Sequence, residues 1–202
     1  GLLLPLFNVL TAFFATAVVF ILINVNPIEA TKILIYGAFG YEEGIGYTLY
    51  YTTNFIFTGL AVAVAFHAGL FNIGGEGQAY IGGLGTALVA LYIDPTLSAW
   101  LIIPLGIFGG LLFGAMWAII PAYLQAYRGS HIVIPTIMFN VLASALMVYL
   151  LVHVLREMGQ MSPQSKDFPD SAWIPFVHEV FAGMGYKIAE SPLNLSFIIA
   201  LI

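Results

Sequence analysis

The run His67-Ala68-Gly69-Leu70-Phe71-Asn72-Ile73-Gly74-Gly75-Glu76-Gly77-Gln78 places a histidine, a carboxylate and two amides among glycines, between two apolar stretches. Its chemistry would be recognition rather than bond making: amides and a carboxylate hydrogen-bond a polar solute, and no nucleophile stands beside a base. Glycines tolerate positive φ and so permit a helix to break. Non-helical backbone survives at membrane depth only where protein or water satisfies its polar groups. A half-helix that starts inside the bilayer is a common way for transporters to meet their substrate. One reading therefore makes His67, Asn72, Gly74, Gly75, Glu76, Gly77 and Gln78 part of a solute pathway or its gate. The other makes Asn72 the cap of the next helix, with Glu76 in its first turn at the positive end of the dipole. For His67 alone the structural role is favoured.

A second constellation is Arg128-Gly129-Ser130-His131-Ile132-Val133-Ile134-Pro135-Thr136-Ile137-Met138-Phe139-Asn140. Ser130 has the chemistry of a helix cap. Pro135 is expected inside the following helix, where a lost backbone bond would kink it. Asn140 is a buried polar side chain that needs a partner. The pattern fits a bent gating helix and equally a kinked span bonded to a neighbour.

Other chemistries are excluded or unsupported. There is no G-x-x-x-x-G-K-[ST] loop, and Lys32, Lys166 and Lys187 lie outside any such context, so no P-loop nucleotide hydrolysis is expected. With no cysteine there are no disulfides, thiolate metal sites or thiol nucleophiles. His67, His131, His153 and His178 lack metal-ligand spacing. Neither a catalytic residue, a metal site nor a cofactor is expected, and five Lys and Arg residues in all argue against nucleic acid.

The elements that must hold these residues are membrane helices. Of the 202 residues, 61% are hydrophobic and 7% charged, where a soluble domain carries about a quarter charged. The apolar residues come in long runs, each near the roughly 20 residues that cross about 30 Å of hydrocarbon. The expectation is an all-α polytopic bundle of about six spans, with lipid as its main solvent. Spans are expected at about 6–25, 50–66, 79–92 and 100–124, then from beyond Ser130 to about 152, with a sixth starting after Pro192. The glycine-rich break falls between the second and third. A wet connection with Glu29, Lys32, Glu42 and Glu43 is expected after the first span. Residues 155–192 form a long hydrophilic connection.

Small residues four apart (Ala61/Ala65/Gly69, Gly82/Thr86/Ala90 and Gly106/Gly110/Gly114) mark faces where helix backbones approach closely. Tyr47, Tyr50, Tyr51 and Trp100 fall at expected span ends, where amphipathic rings favour the interface. Arg128, alone in a short connection without acids, puts that connection in the cytoplasm and the 155–192 stretch outside. The first apolar run is too long for a signal-peptide core and lacks a basic leader, so it is read as a retained span. Both ends of the sequence look cut, and further spans are expected beyond Ile202.

Asn26-Pro27-Ile28-Glu29-Ala30, Gly37-Ala38-Phe39-Gly40, the element from Gly69 to Gln78 and Thr136-Ile137-Met138-Phe139-Asn140 together resemble the permease subunits of bacterial ABC importers for nucleosides and simple sugars. These belong to the branched-chain amino acid and ribose permease superfamily. The resemblance runs in order over nearly the whole chain. It departs at His67, where many members carry Arg, and at His131-Ile132, where they carry an Asn-Glu pair. The resemblance implies a multi-pass inner-membrane protein of bacteria that translocates a small-molecule solute without being an enzyme itself. Its implied partners are cytoplasmic ABC ATPase subunits, a second permease subunit (a homodimer or heterodimer) and an extracytoplasmic solute-binding protein, for which 155–192 is a candidate docking surface and equally a solvated loop. On that basis residues 1–202 are one permease domain without its C-terminal spans and ATPase-coupling loop. An ion-coupled secondary transporter and a non-transporting membrane scaffold are the rival readings. The first would need intramembrane acids in several spans, whereas Glu76 is the only acid near a span's polar break.

Overall fold

The computed structural model describes residues 3–202, and no strand occurs among them. Its helices are α1 (Leu3–Leu22), α2 (Pro27–Phe39), α3 (Glu42–His67), α4 (Gly75–Tyr92), α5 (Ala99–Arg128), α6 (Val133–His153), α7 (Val177–Gly183) and α8 (Ser196–Leu201). Among the described residues, α1, α3, α5 and α6 are long and apolar enough to cross a membrane. The expected six spans are thus reduced to four of that quality. Glycines, Glu76 and Gln78 dilute the apolar character of α4, and the last expected span is present only as the six-residue α8.

The wet connection expected after the first span is instead the helix α2. Asn26 caps it, its Oδ1 accepting from the N–H of Ile28 at 3.0 Å and of Glu29 at 3.5 Å, with Pro27 at the first helical position. Proline there forfeits only an N–H that has no partner in any helix, and Glu29 faces the positive dipole end. These local preferences outweigh the two charges.

By contacts the chain divides into two compact units, one holding the chain up to Thr52 with Phe176–Leu201 and the other Thr53–Pro175. In the first, α1 packs on α2. There Glu42 Oε2 accepts from Ala189 N at 3.2 Å, and Val177 N donates to Leu193 O at 2.9 Å, which ties the segment around α7 to the start of α3.

The second unit is built on α4, which packs against both α5 and α6. The small-residue stripes on α4 and α5 meet as expected, in antiparallel register. A methyl added at Gly82 would sit 3.2 Å from Gly110 O, and Thr86 Oγ1 donates to Gly106 O at 3.0 Å. In the third stripe Ala61 and Gly69 are exposed and Ala65 is half-buried.

Two expectations for the α5–α6 corner are corrected. Ser130 does not cap α6; Ile132 holds that position with no side-chain bond. Pro135 is the third residue of α6, where its missing N–H breaks no helical bond, so it produces no kink. The prolines interior to a helix are Pro104 and Pro121, both in α5. That helix stops at Gly129, whose φ of 65° suits glycine and whose N–H donates to Leu124 O.

Between α4 and α5, Asp94 Oδ1 accepts from Thr96 N at 2.9 Å and from the Thr96 hydroxyl at 2.7 Å. The backbone bond first, then the hydroxyl, holds its carboxyl below the ordinary carboxylate range, against a smaller opposing pull from burial. A depressed pKa means the contribution is present above the unfolded value, about 3.9, and lost as pH falls through the lower folded one. Hydrogen exchange at the Thr96 amide is expected to quicken relative to neighbouring amides once pH drops below that window.

Candidate functional site

The break expected between the second and third spans is present. The α3 helix ends at His67, residues 68–74 are non-helical, and α4 begins at Gly75. Leu70 N bonds back to Ala65 O at 2.9 Å as the chain leaves α3, with Gly69 at a φ of 74°. The Phe66 and Phe71 rings meet edge to face at 5.8 Å across the turn.

What holds the break is Asn140, 63 residues from Gly77 in sequence. Its Oδ1 accepts from Gly77 N at 2.9 Å, and its Nδ2 donates to Ile73 O at 2.9 Å. One side chain thus satisfies an orphan N–H of the first turn of α4 and a carbonyl of the non-helical stretch. Such groups are costly to leave unmet away from water. Gly77 is buried here, and an added methyl would lie 2.9 Å from Asn140 Oδ1 and 3.1 Å from Phe139 O. Gly74 is also buried, packed on Thr136.

Asn72 does not cap α4; Gly74 takes that place without a side-chain bond. Instead Asn72 and Gln78 form a reciprocal amide pair, Nδ2 to Oε1 at 3.0 Å and Nε2 to Oδ1 at 3.1 Å. Each amide has one donor and one acceptor matched by the other, a geometry a capping role would not provide. Glu76 lies in the first turn of α4 as expected and is exposed. His67 is exposed, its Nδ1 2.8 Å from Ala63 O one turn back, so its bond is internal to α3. The site therefore brings together Asn72, Gly74, Gly77, Gln78 and Asn140, with Gly75 and Glu76 in the adjoining first turn, and leaves His67 outside.

Sequence reasoning missed Trp117. Its Nε1 donates to Phe139 O at 3.3 Å, and its ring meets Phe139 edge to face at 5.2 Å. The available signal was a tryptophan in mid-span, whose N–H needs a partner when buried.

The position of the break along the bundle follows from α6. Asn140 lies seven residues on from Val133, about 10 Å along the axis at ~1.5 Å per residue. The whole of α6, 21 residues, is about 31 Å long, which matches the hydrocarbon thickness. The Gly77–Asn140 contact is thus about a third of the way along α6, not at its end.

Residues 44–202 match the family described as branched-chain amino acid transport system, permease component. Among curated proteins, a nucleoside ABC transporter permease of Lactococcus lactis is 33% identical, over 99% of this chain and 54% of its own length. A glucose ABC transporter permease of Haloferax volcanii is 33% identical over 85% of this chain and 44% of its own. A guanosine ABC transporter permease of Bacillus subtilis is 34% identical over 77% and 44%. The chain spans about half the length of these relatives. No solved structure matches it. Four apolar helices of membrane length and a match over most of the chain agree: this multi-pass membrane chain belongs to the branched-chain amino acid transport system permease-component family.

Proposed function

We propose that the whole protein is the translocating subunit of an ATP-driven importer for a nucleoside or a simple-sugar-like solute, with residues 1–202 as part of one permease domain. The names of the relatives, which cover nucleoside, guanosine and glucose permeases, support that solute class. Energy would come from separate cytoplasmic ATPase subunits, a reading supported by the relatives' names as permease proteins of ABC transporters. A second permease subunit would complete the pathway. An extracytoplasmic binding protein would deliver solute to the 155–192 side, and the Arg128 connection would face the cytoplasm.

The single observation that carries the site is the Asn140 clamp on Gly77 and Ile73, about 10 Å along α6. It leaves a short stretch of non-helical, polar-lined backbone at membrane depth, which is tolerated only against protein or a water-filled cavity. Asn72, Gln78 and Asn140 supply amides, Glu76 supplies a carboxylate on the exposed side of the first turn, Gly74 and Gly77 let this turn pack closely on Thr136 and Asn140, and Gly75 leaves open space beside them. Those groups match the hydroxyls and ring amides of a nucleoside. Transport is then binding and alternating access, with no covalent step.

The test is uptake of labelled nucleoside and of labelled sugar by the full-length protein, reconstituted with its ATPase and binding protein. Asn72→Ala combined with Glu76→Ala is expected to lower uptake at least about tenfold, the effect of about 1.4 kcal/mol. Uptake at the wild-type rate with normal protein levels would remove these residues from the pathway.

A further inference from the structure

Where α6 ends at His153, Val154 N and Leu155 N both bond back to Leu150 O, and an antiparallel bridge joins Arg156 to Ser165. That bridge returns Lys166 to the end of α6. Tyr92, the last residue of α4, faces the same space, which is a cavity of about 660 Å³. Its apolar side is Tyr92, Val154 and Leu155; its polar side is Arg156, Glu157 and Lys166. The volume lies in the range of small-molecule sites, roughly 300–1,000 Å³. The three charged side chains are exposed and, among the described residues, form no ion pair with protein.

Position selects the ligand. Because α6 crosses the hydrocarbon and stops at His153, residues three to four positions further on lie in the headgroup layer, about 5–8 Å deep on each side. An arginine fork takes a phosphate with two parallel bonds, and a lysine adds a point charge. Basic pockets at this level are suited to lipid headgroups, and a tyrosine favours the same layer. Glu157, of opposite sign in the same cavity, matches an ammonium. The apolar wall would be wasted on a free ion, but it fits the glycerol and first methylenes of a lipid.

We propose that this cavity binds a phospholipid bearing a primary ammonium, its phosphodiester on Arg156 and Lys166, its ammonium on Glu157 and its glycerol end against Tyr92, Val154 and Leu155. The site lies at the start of the 155–192 stretch, at the opposite end of α6 from the Asn140 clamp, and rests on the membrane placement of α6.

The test uses the full-length protein in nanodiscs of mixed phosphatidylethanolamine and phosphatidylglycerol, with retained lipid counted by native mass spectrometry. Wild type is expected to keep phosphatidylethanolamine through detergent exchange. Arg156→Ala with Lys166→Ala should weaken retention of both lipids by about tenfold or more, as lost charge-assisted bonds would. Arg156→Lys with Lys166→Arg should restore it, which separates binding from folding. Glu157→Gln should abolish the preference for phosphatidylethanolamine while phosphatidylglycerol still binds. Equal lipid retention by wild type and the double alanine variant would overturn the proposal. So would displacement of the lipid by millimolar inorganic phosphate, which would mark a free-anion site.

Discussion

Asn140→Ala is expected to destabilise the full-length protein by about 1–3 kcal/mol, because the buried Gly77 N–H loses its partner and a buried group left unmet costs about that much. The N–H of Gly77 is buried beneath α6, and Ile73 O belongs to backbone that no helix satisfies. The same change should release the start of α4 and depress uptake more than it depresses stability. Thermal unfolding in detergent alongside reconstituted uptake reads both effects. An alanine variant within about 0.5 kcal/mol of wild type would mean the clamp carries no weight.

Gly85→Leu is expected to prevent the α4–α5 contact from forming. A methyl at Gly85 already overlaps Gly109 O and stands 2.8 Å from Phe113 Cβ, and one at Gly109 stands 2.8 Å from both Gly85 O and Val89 Cγ2. The obstacle includes backbone, which cannot rotate aside. Overpacking by single methylenes costs about 1–3 kcal/mol even where side chains can move, so a leucine should reduce folded yield severely. Gly83→Ala is the paired control: nothing lies within 4 Å of its added methyl, and alanine favours helix over glycine by about 0.8–1.0 kcal/mol. Fluorescence-detected size exclusion of the two variants should therefore move in opposite directions from wild type. A normally folded Gly85→Leu protein would show that the two helices are not in close contact in the membrane.

The long apolar runs were legible because lipid demands little else of a helix: α1, α5 and α6 lie within a few residues of where hydropathy puts them. The start of α3 was not, since Glu42, Glu43, Gly44 and Gly46 dilute the signal over its first turns. The α2 helix was missed although Asn26, Pro27 and Glu29 form an N-terminal signature, because two charges in a short segment read as solvent-facing. At the site, the glycines announced the break, and Asn140 announced a need for a partner. Neither announced the other. Their pairing spans 63 residues, and no local pattern carries that information. The choice of Gln78 over the α4 N-terminus as partner for Asn72 likewise depends on where the helix happens to start.

The glycine face of α4 has a consequence for biosynthesis. A helix holding Glu76, Gln78 and five glycines gains little by entering lipid alone, because its apolar content is low and its backbone is thinly covered. Its cover is α5, which arrives after a connection of six residues and seals Gly82, Gly85 and Thr86. The translocon should therefore hold α4 until α5 emerges and release the two as a hairpin, so that a ribosome stalled between them would leave α4 open to proteolysis.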